Sequence, residues 1–372
     1  MRSVVLIPYC PLPINTGAKA EMWKHLNILH GLGPCTIASA RRRPVGLGWT
    51  PRYEQEIRNR GFDLVFREDC IRLGLLQVYG FFYGLFCKGL GLDRAFGHSN
   101  PYHRHAFPAG WLHELSTQFD LAVINYSHWG HLPCACPKVV VLHDLVSDVS
   151  WEGAKRETID LGSADLLVVI SLDEEKALNQ RGIFKTLWSP PSVDATEIPL
   201  NSTVGLVGSG SLFNIEGLHW LERALGRDGT ANIPIRVYGG LANHVRSKAF
   251  APVGCYEDPM QPYMDCGVVL MPTAEGTGVQ IKAVEALAAG RAIIARKGAM
   301  RGLPPGEGAW IEVDSPRDMV LAALRLQADQ SSREALASKA RSYYEQWLDS
   351  AQIKASLKKV YTRLGMGIVP RR

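Results

Sequence analysis

The stretch Pro272–Gly290, PTAEGTGVQIKAVEALAAG, constrains this chain more than any other. It follows Val268-Val269-Leu270-Met271, an apolar run with the length and composition of a buried parallel strand. Gly276 and Gly278 then allow a tight turn in which backbone can approach a ligand closely. From Val279 the pattern turns helical, with Val279, Ala283, Ala286 and Leu287 on one face. Gly290 suits a helix stop, and Arg291-Ala292-Ile293-Ile294-Ala295 reads as the next strand. Strand, glycine loop, helix, strand is the unit of a doubly wound α/β sheet. It points backbone N–H groups and the positive end of a helix at whatever lies over the sheet, which favours phosphate. The plainer alternative is an amphipathic helix with a surface Glu, as any doubly wound fold contains.

At 372 residues the chain is too long for one ordinary core and suits two domains. Its 46% hydrophobic and 21% charged residues are those of a soluble globular protein. A net charge of +5 suits phosphate ligands or an anionic membrane surface and is too weak to point to nucleic acid. No apolar run reaches the roughly 18 residues that span a bilayer. The run after Met1 stops at Pro8 with no small-residue cleavage site, so it reads as a first strand, and a cytoplasmic protein is expected. The eight cysteines are scattered, as reduced thiols are. Cys134-x-Cys136 is their one close pair and has no second pair at zinc spacing, so no metal site is expected.

Strands are predicted at Val4–Ile7, Thr36–Ser39, Leu64–Phe66, Leu121–Asn125, Val139–Leu142 and Ala164–Ser171. The Pro/Gly loop Tyr9–Gly17 leads into a helix over Lys19–His30. Arg41-Arg42-Arg43 follows a strand, where α/β ligand sites lie; a solvated basic loop is the preferred reading. Ile71–Gly91, apolar, aromatic and broken by glycine, is read as buried core, with an interfacial segment on lipid as the alternative. His143 and Asp144 end a strand. There a His can donate a hydrogen bond to a ligand hydroxyl or share charge near a phosphate, while a lone structural His is the alternative. Ser171 is read as an N-cap before Asp173-Glu174-Glu175. Prolines and small polar residues from Pro190 to Ser202 mark a linker.

The second half restarts with Val204–Val207 and GSGSLFNIEG, whose Gly208, Ser209 and Gly210 can cradle a phosphate. Ile235–Tyr238 and Trp310–Val313 read as further strands. Helices are expected over Ile215–Leu225, Asp318–Leu326, Ser331–Leu348 and Ala351–Leu364.

Gly276–Gly290 resembles the donor segment of retaining GT-B glycosyltransferases of the family 4 type, and the likeness extends more weakly over most of the chain. It implies an α/β GT-B fold, two Rossmann-like domains facing across a cleft. Residues 1–195 would form the acceptor domain with the helix 350–372 packed back on it, and 196–349 the donor domain. In that family a Glu, a glycine turn and a second Glu eight residues on clamp a nucleotide-sugar. Here the second is Glu285, implied to hold ribose hydroxyls; eight residues back stands Thr277, with Glu275 nearby but out of register. The resemblance places His143 over the donor sugar and Gly17 at a donor-phosphate loop. It implies a donor set of Gly17, Gly208, Ser209, Gly210, Glu275, Gly276, Thr277, Gly278, Val279 and Glu285. Ser192-Val193-Asp194 matches the interdomain segment. The Arg and Lys that relatives carry in the first glycine loop are missing, and Lys282 with Arg301 would supply the charge.

The implied reaction is glycosyl transfer from a nucleotide-sugar to a hydroxyl of a sugar, a lipid-linked acceptor or a natural product. It would retain configuration without a covalent enzyme intermediate and without a required metal. His143, Lys282 and Glu285 are the candidate catalytic residues. Peripheral membrane contact through the first domain is compatible; nucleic acid is not expected. A nucleotide-sugar 2-epimerase of the same fold and a degenerate nucleotide-sugar-binding protein are the alternatives. A nicotinamide dehydrogenase fits poorly, because YCPLPINTG lacks the dinucleotide glycine pattern.

Overall fold

The computed structural model describes residues 1–14, 16–41, 46–70, 78–79, 82–83, 85–86, 106–145, 151–225, 234–276 and 278–368. The chain divides into two compact units. One is Met1–Ser189 with Lys354–Arg372; the other is Pro190–Ile353.

The first unit carries a seven-stranded sheet in the order β3-β2-β1-β4-β5-β6-β7. Its strands are β1 (Ser3–Leu6), β2 (Cys35–Ser39), β3 (Asp63–Phe66), β4 (Leu121–Asn125), β5 (Lys138–Leu142), β6 (Leu166–Val169) and β7 (Thr186–Trp188). The second unit carries a six-stranded sheet in the order β10-β9-β8-β11-β12-β13. These are β8 (Val204–Val207), β9 (Ile235–Tyr238), β10 (Phe250–Gly254), β11 (Val268–Met271), β12 (Ala292–Arg296) and β13 (Ile311–Val313). Every pairing is parallel. The central strands are apolar except for Ser3, Asn125 and Lys138 at strand ends, because helices cover both faces, and no residue of β1, β4, β5, β8 or β11 is exposed. In each sheet the chain runs outward from its first strand and then returns to that strand's other side. The reversal leaves a switch point between β1 and β4, and another between β8 and β11, where the flanking loops part and a ligand can enter.

Local chemistry sets the helix ends. Thr16, Thr50, Ser171 and Ser315 each cap a helix through the side-chain oxygen. Ser171 does so before its acidic first turn, as its sequence position predicts. The helix expected from Val279 is Ile281–Ala288, two residues shorter at its start. The helix expected from Ile215 begins at Leu212, so its first turn belongs to the glycine loop. Strands β7 and β10 and the helices Pro51–Asn59, Ala109–Ser116 and Trp151–Gly162 have no counterpart in the sequence reading.

Arg42 and Arg43 lie outside the described residues, as does most of Ile71–Gly91. Arg41 is held by Glu54 at 2.9 Å and Asp69 at 2.6 Å and lies over the Phe66 ring. The described side chains Val78, Tyr79, Phe82, Leu85 and Phe86 are exposed. Buried core therefore does not describe these five. Among the described residues no helix is long and apolar enough to cross a membrane.

Candidate functional site

The loop after β8 and the loop after β11 meet at the switch point of the Pro190–Ile353 unit. Gly208, Ser209 and Gly210 leave β8 and lead into the helix Leu212–Leu225, whose first turn presents Asn214. The Asn214 amide nitrogen donates to the Ser209 carbonyl and hydroxyl, both at 3.1 Å. Its carbonyl oxygen therefore faces the other way. There it accepts from Thr273 Oγ1 at 3.1 Å and from Lys282 Nζ at 2.8 Å. Lys282 Nζ also reaches Thr273 Oγ1 at 3.3 Å. Thr273 is buried because Gly217 brings the helix against it; a Cβ on Gly217 would come within 3.0 Å of Thr273 N and Oγ1.

Two cations belong to this site. Lys282 is half-buried, and its ammonium rests on neutral oxygens with no carboxylate in ion-pair range among the described residues. Burial, aided by the like charge of Arg301, brings its pKa down to about 7 against the pull of Glu285. Arg301 donates to the carbonyls of Ala274 and Gly298. It lies directly on Gly276, where a Cβ would stand 2.5 Å from Arg301 Nη2. Gly276 also has a φ of 131°, so both conformation and space require glycine there. No side chain caps the helix Ile281–Ala288 among the described residues, and its amino end carries the partial positive charge of the helix dipole. Gln280 instead ties the loop after β11 to the loop after β12, donating to the Thr273 and Ala299 carbonyls.

Glu285 lies one helical turn beyond Lys282. Its Oε2 accepts from the Tyr263 hydroxyl at 2.7 Å, and burial pushes its carboxyl up while Tyr263 and Lys282 pull it back. Gly278 turns at φ 61°, and Val279 is buried, so Val279 can offer a ligand only its backbone. Glu275 is exposed. Thr277 lies outside the described residues. Gly208, Ser209, Gly210, Gly276, Gly278, Lys282 and Glu285 thus belong to one group of loops and one helix.

His143 and Gly17 belong to the other unit. Gly17 opens the helix Gly17–His30 behind its Thr16 cap. His143 is buried at the end of β5, beside the switch point between β1 and β4. Asn125 donates its amide to the Leu6 carbonyl at 3.1 Å, so its oxygen faces His143 Nε2 at 3.1 Å. This network assigns the proton to Nε2 and leaves Nδ1 as the acceptor. Burial lowers the imidazole pKa to about 4, so the ring is neutral near pH 7. Donation from Nε2 to a sugar hydroxyl, one reading of the sequence, is not open while Asn125 holds that nitrogen. The Tyr126 ring stacks on His143 at 4.2 Å, and its hydroxyl hydrogen-bonds that of Tyr9. Tyr126 sits at φ 73°, an unusual conformation for an aromatic residue.

Sequence reasoning singles out none of Asn214, Thr273, Tyr263, Asn125 or Tyr126. Asn214 carries the one usable signal, a polar residue six positions after Gly208 on a helix that starts at a glycine loop.

No family model and no curated protein matches the sequence. Solved structures do. The Anabaena protein HepE in complex with UDP aligns with a TM-score of 0.68 at 13% identity, over 97% of this chain and 100% of its own. Its complex with UDP-glucose aligns at 0.67 and 14%, over 97% and 99%. Sucrose-phosphate synthase from Thermosynechococcus elongatus aligns at 0.64 and 16%, over 99% and 100%. Each of these alignments runs through both units.

The fold is GT-B. At these identities the likeness establishes the GT-B architecture; chemistry rests on the side chains described above.

Proposed function

We propose that the chain is a glycosyltransferase that moves a sugar from a nucleoside-diphosphate donor to an acceptor hydroxyl. One observation carries this reading: an ammonium held, among the described residues, on neutral oxygens with no carboxylate in ion-pair range, at the β8/β11 switch point and one helical turn from Glu285. An anionic ligand is the natural partner of such a group. The GT-B fold supports the reading, since structures of that fold have been solved with UDP and UDP-glucose.

In this proposal the diphosphate lies over the amino end of Ile281–Ala288. Backbone of Gly208, Ser209, Gly210, Gly276, Gly278 and Val279 lines it, and Lys282 and Arg301 supply charge. Glu285 takes the ribose hydroxyls. The bond from the sugar's anomeric carbon to the phosphate oxygen breaks, and a bond to the acceptor oxygen forms on the same face. The acceptor's proton passes to the departing phosphate oxygen. The protein's task is to position the groups and stabilise the charge that grows on the diphosphate. Two fixed cations and a helix dipole do this without requiring a divalent metal.

The test is a comparison of nucleoside diphosphates with their nucleosides by titration calorimetry. Lys282→Met is expected to weaken diphosphate binding by about tenfold or more, equivalent to about 1.4 kcal/mol, and nucleoside binding by less than about twofold. Equal losses, or no diphosphate binding by the native chain, would overturn the proposal.

A further inference from the structure

Lys282 is poised by a residue of another element. Its ammonium sits 2.8 Å from Asn214 Oδ1, across 68 residues of sequence. That oxygen is aimed by the opposite end of the amide, which spans the Ser209 carbonyl and hydroxyl. Thr273 Oγ1 donates to the same oxygen and offers its lone pair to the ammonium. A carboxylate at position 214 would fit the same space and make a salt bridge. The chain has an amide there instead.

We infer that Asn214 is a positioning residue, a neutral acceptor that parks the Lys282 ammonium beside the glycine loop until a phosphate oxygen takes it. This rests on the donor reading of the site. A charged partner would hold the ammonium equally well but would neutralise it and compete with the ligand. An apolar partner would leave a buried cation with too few acceptors.

The charged groups facing Lys282 support an unneutralised cation. Glu285 is bonded to Tyr263, and Arg301 adds like charge. Burial and Arg301 leave Lys282 titrating near 7, so part of its charge is absent above that pH. A diphosphate favours the ammonium and restores it. Binding above pH 7 therefore takes up a proton, and affinity falls as pH rises.

The experiment is calorimetry at pH 8 in two buffers of different ionisation enthalpy. UDP, GDP and ADP are screened and the tightest is carried forward. At that pH the phosphates are fully ionised, since their second pKa is about 6. The native chain is expected to take up most of one proton per ligand, and Lys282→Met none. Asn214→Asp is expected to bind about tenfold more weakly, with proton uptake near zero, because the new carboxylate already holds the ammonium charged. Asn214→Ala is expected to bind about threefold more weakly with uptake retained, and serves alone if the Asp variant does not fold. Native affinity in either folded variant, unchanged uptake in Asn214→Asp, or no uptake by the native chain overturns the inference. Binding of none of the three diphosphates by the native chain overturns instead the donor reading on which it rests.

Discussion

A single ring shows how burial decides chemistry. His143 has Asn125 on Nε2, Tyr126 across its face and almost no solvent. An exposed imidazole titrates near 6.5. Here burial carries the value down to about 4. Nitrogen NMR is therefore expected to show a neutral ring protonated at Nε2 from pH 8 down to pH 5. A midpoint near 6.5 would mean that the pocket is wet. The linkage has a definite sign. Between about 6.5 and 4 the unfolded chain binds a proton that the folded chain does not, so this group withdraws stability as pH falls through that window. The position of His143 at a strand end is legible in HDL. Its tautomer is not, because that depends on Leu6 and Asn125, which reach it from β1 and β4.

At the scale of elements, the helix Leu212–Leu225 and the loop after β11 are locked by a missing side chain. Gly217→Ala would push a methyl to within 3.0 Å of Pro272 C and Thr273 N and Oγ1. Urea unfolding is expected to show a loss of about 1–3 kcal/mol, because the contact is with backbone that cannot swing away. Diphosphate binding should weaken with it, since Thr273 and Asn214 lose their register. Gly110→Ala is the control. It lies in the helix Ala109–Ser116 with open space around it, and is expected to gain up to about 0.5–1 kcal/mol from helix propensity. A destabilised control and an unaffected Gly217→Ala would reverse this account. Glycine within IEGLHW reads from sequence only as a weak helix former. Its use as a contact surface appears when β11 is brought beside β8.

Across the whole molecule, the last helix, Ser350–Gly365, belongs to the first unit from Lys354 onward, through its buried face. Leu357, Tyr361 and Leu364 are fully buried. The Tyr361 hydroxyl donates to His25 Nδ1 at 2.6 Å, and His25 Nε2 donates to Glu21 at 3.0 Å. Glu21 holds Lys24 at 2.6 Å, and Lys24 donates to Ser189 at 3.0 Å. Burial would push the Glu21 carboxyl up, but Lys24 and His25 overcome it and hold it at about 2. One chain of polar groups thus fastens the final helix and the last residue of β7's exit to the helix Gly17–His30. Tyr361→Phe is expected to cost about 1 kcal/mol in urea unfolding, and removal of residues 354–372 to unfold the first unit by exposing its apolar seam. Native-like unfolding of the truncated chain would refute the second expectation.

Short-range pattern carried much of this protein. Apolar runs of four or five residues became strands, and caps and glycines fell where backbone geometry demands them. Those signals act within a few residues, so a linear reading can find them. It shows the glycine loops and Lys282 with Glu285, but not their partners. Asn214 meets Lys282, and Tyr361 meets His25, only because parallel strands joined through helices place distant segments side by side. Such meetings depend on strand order and on how closely side chains pack. Neither leaves a periodic trace along the chain, which is why the charge at 282 was visible in the sequence and the amide that holds it was not.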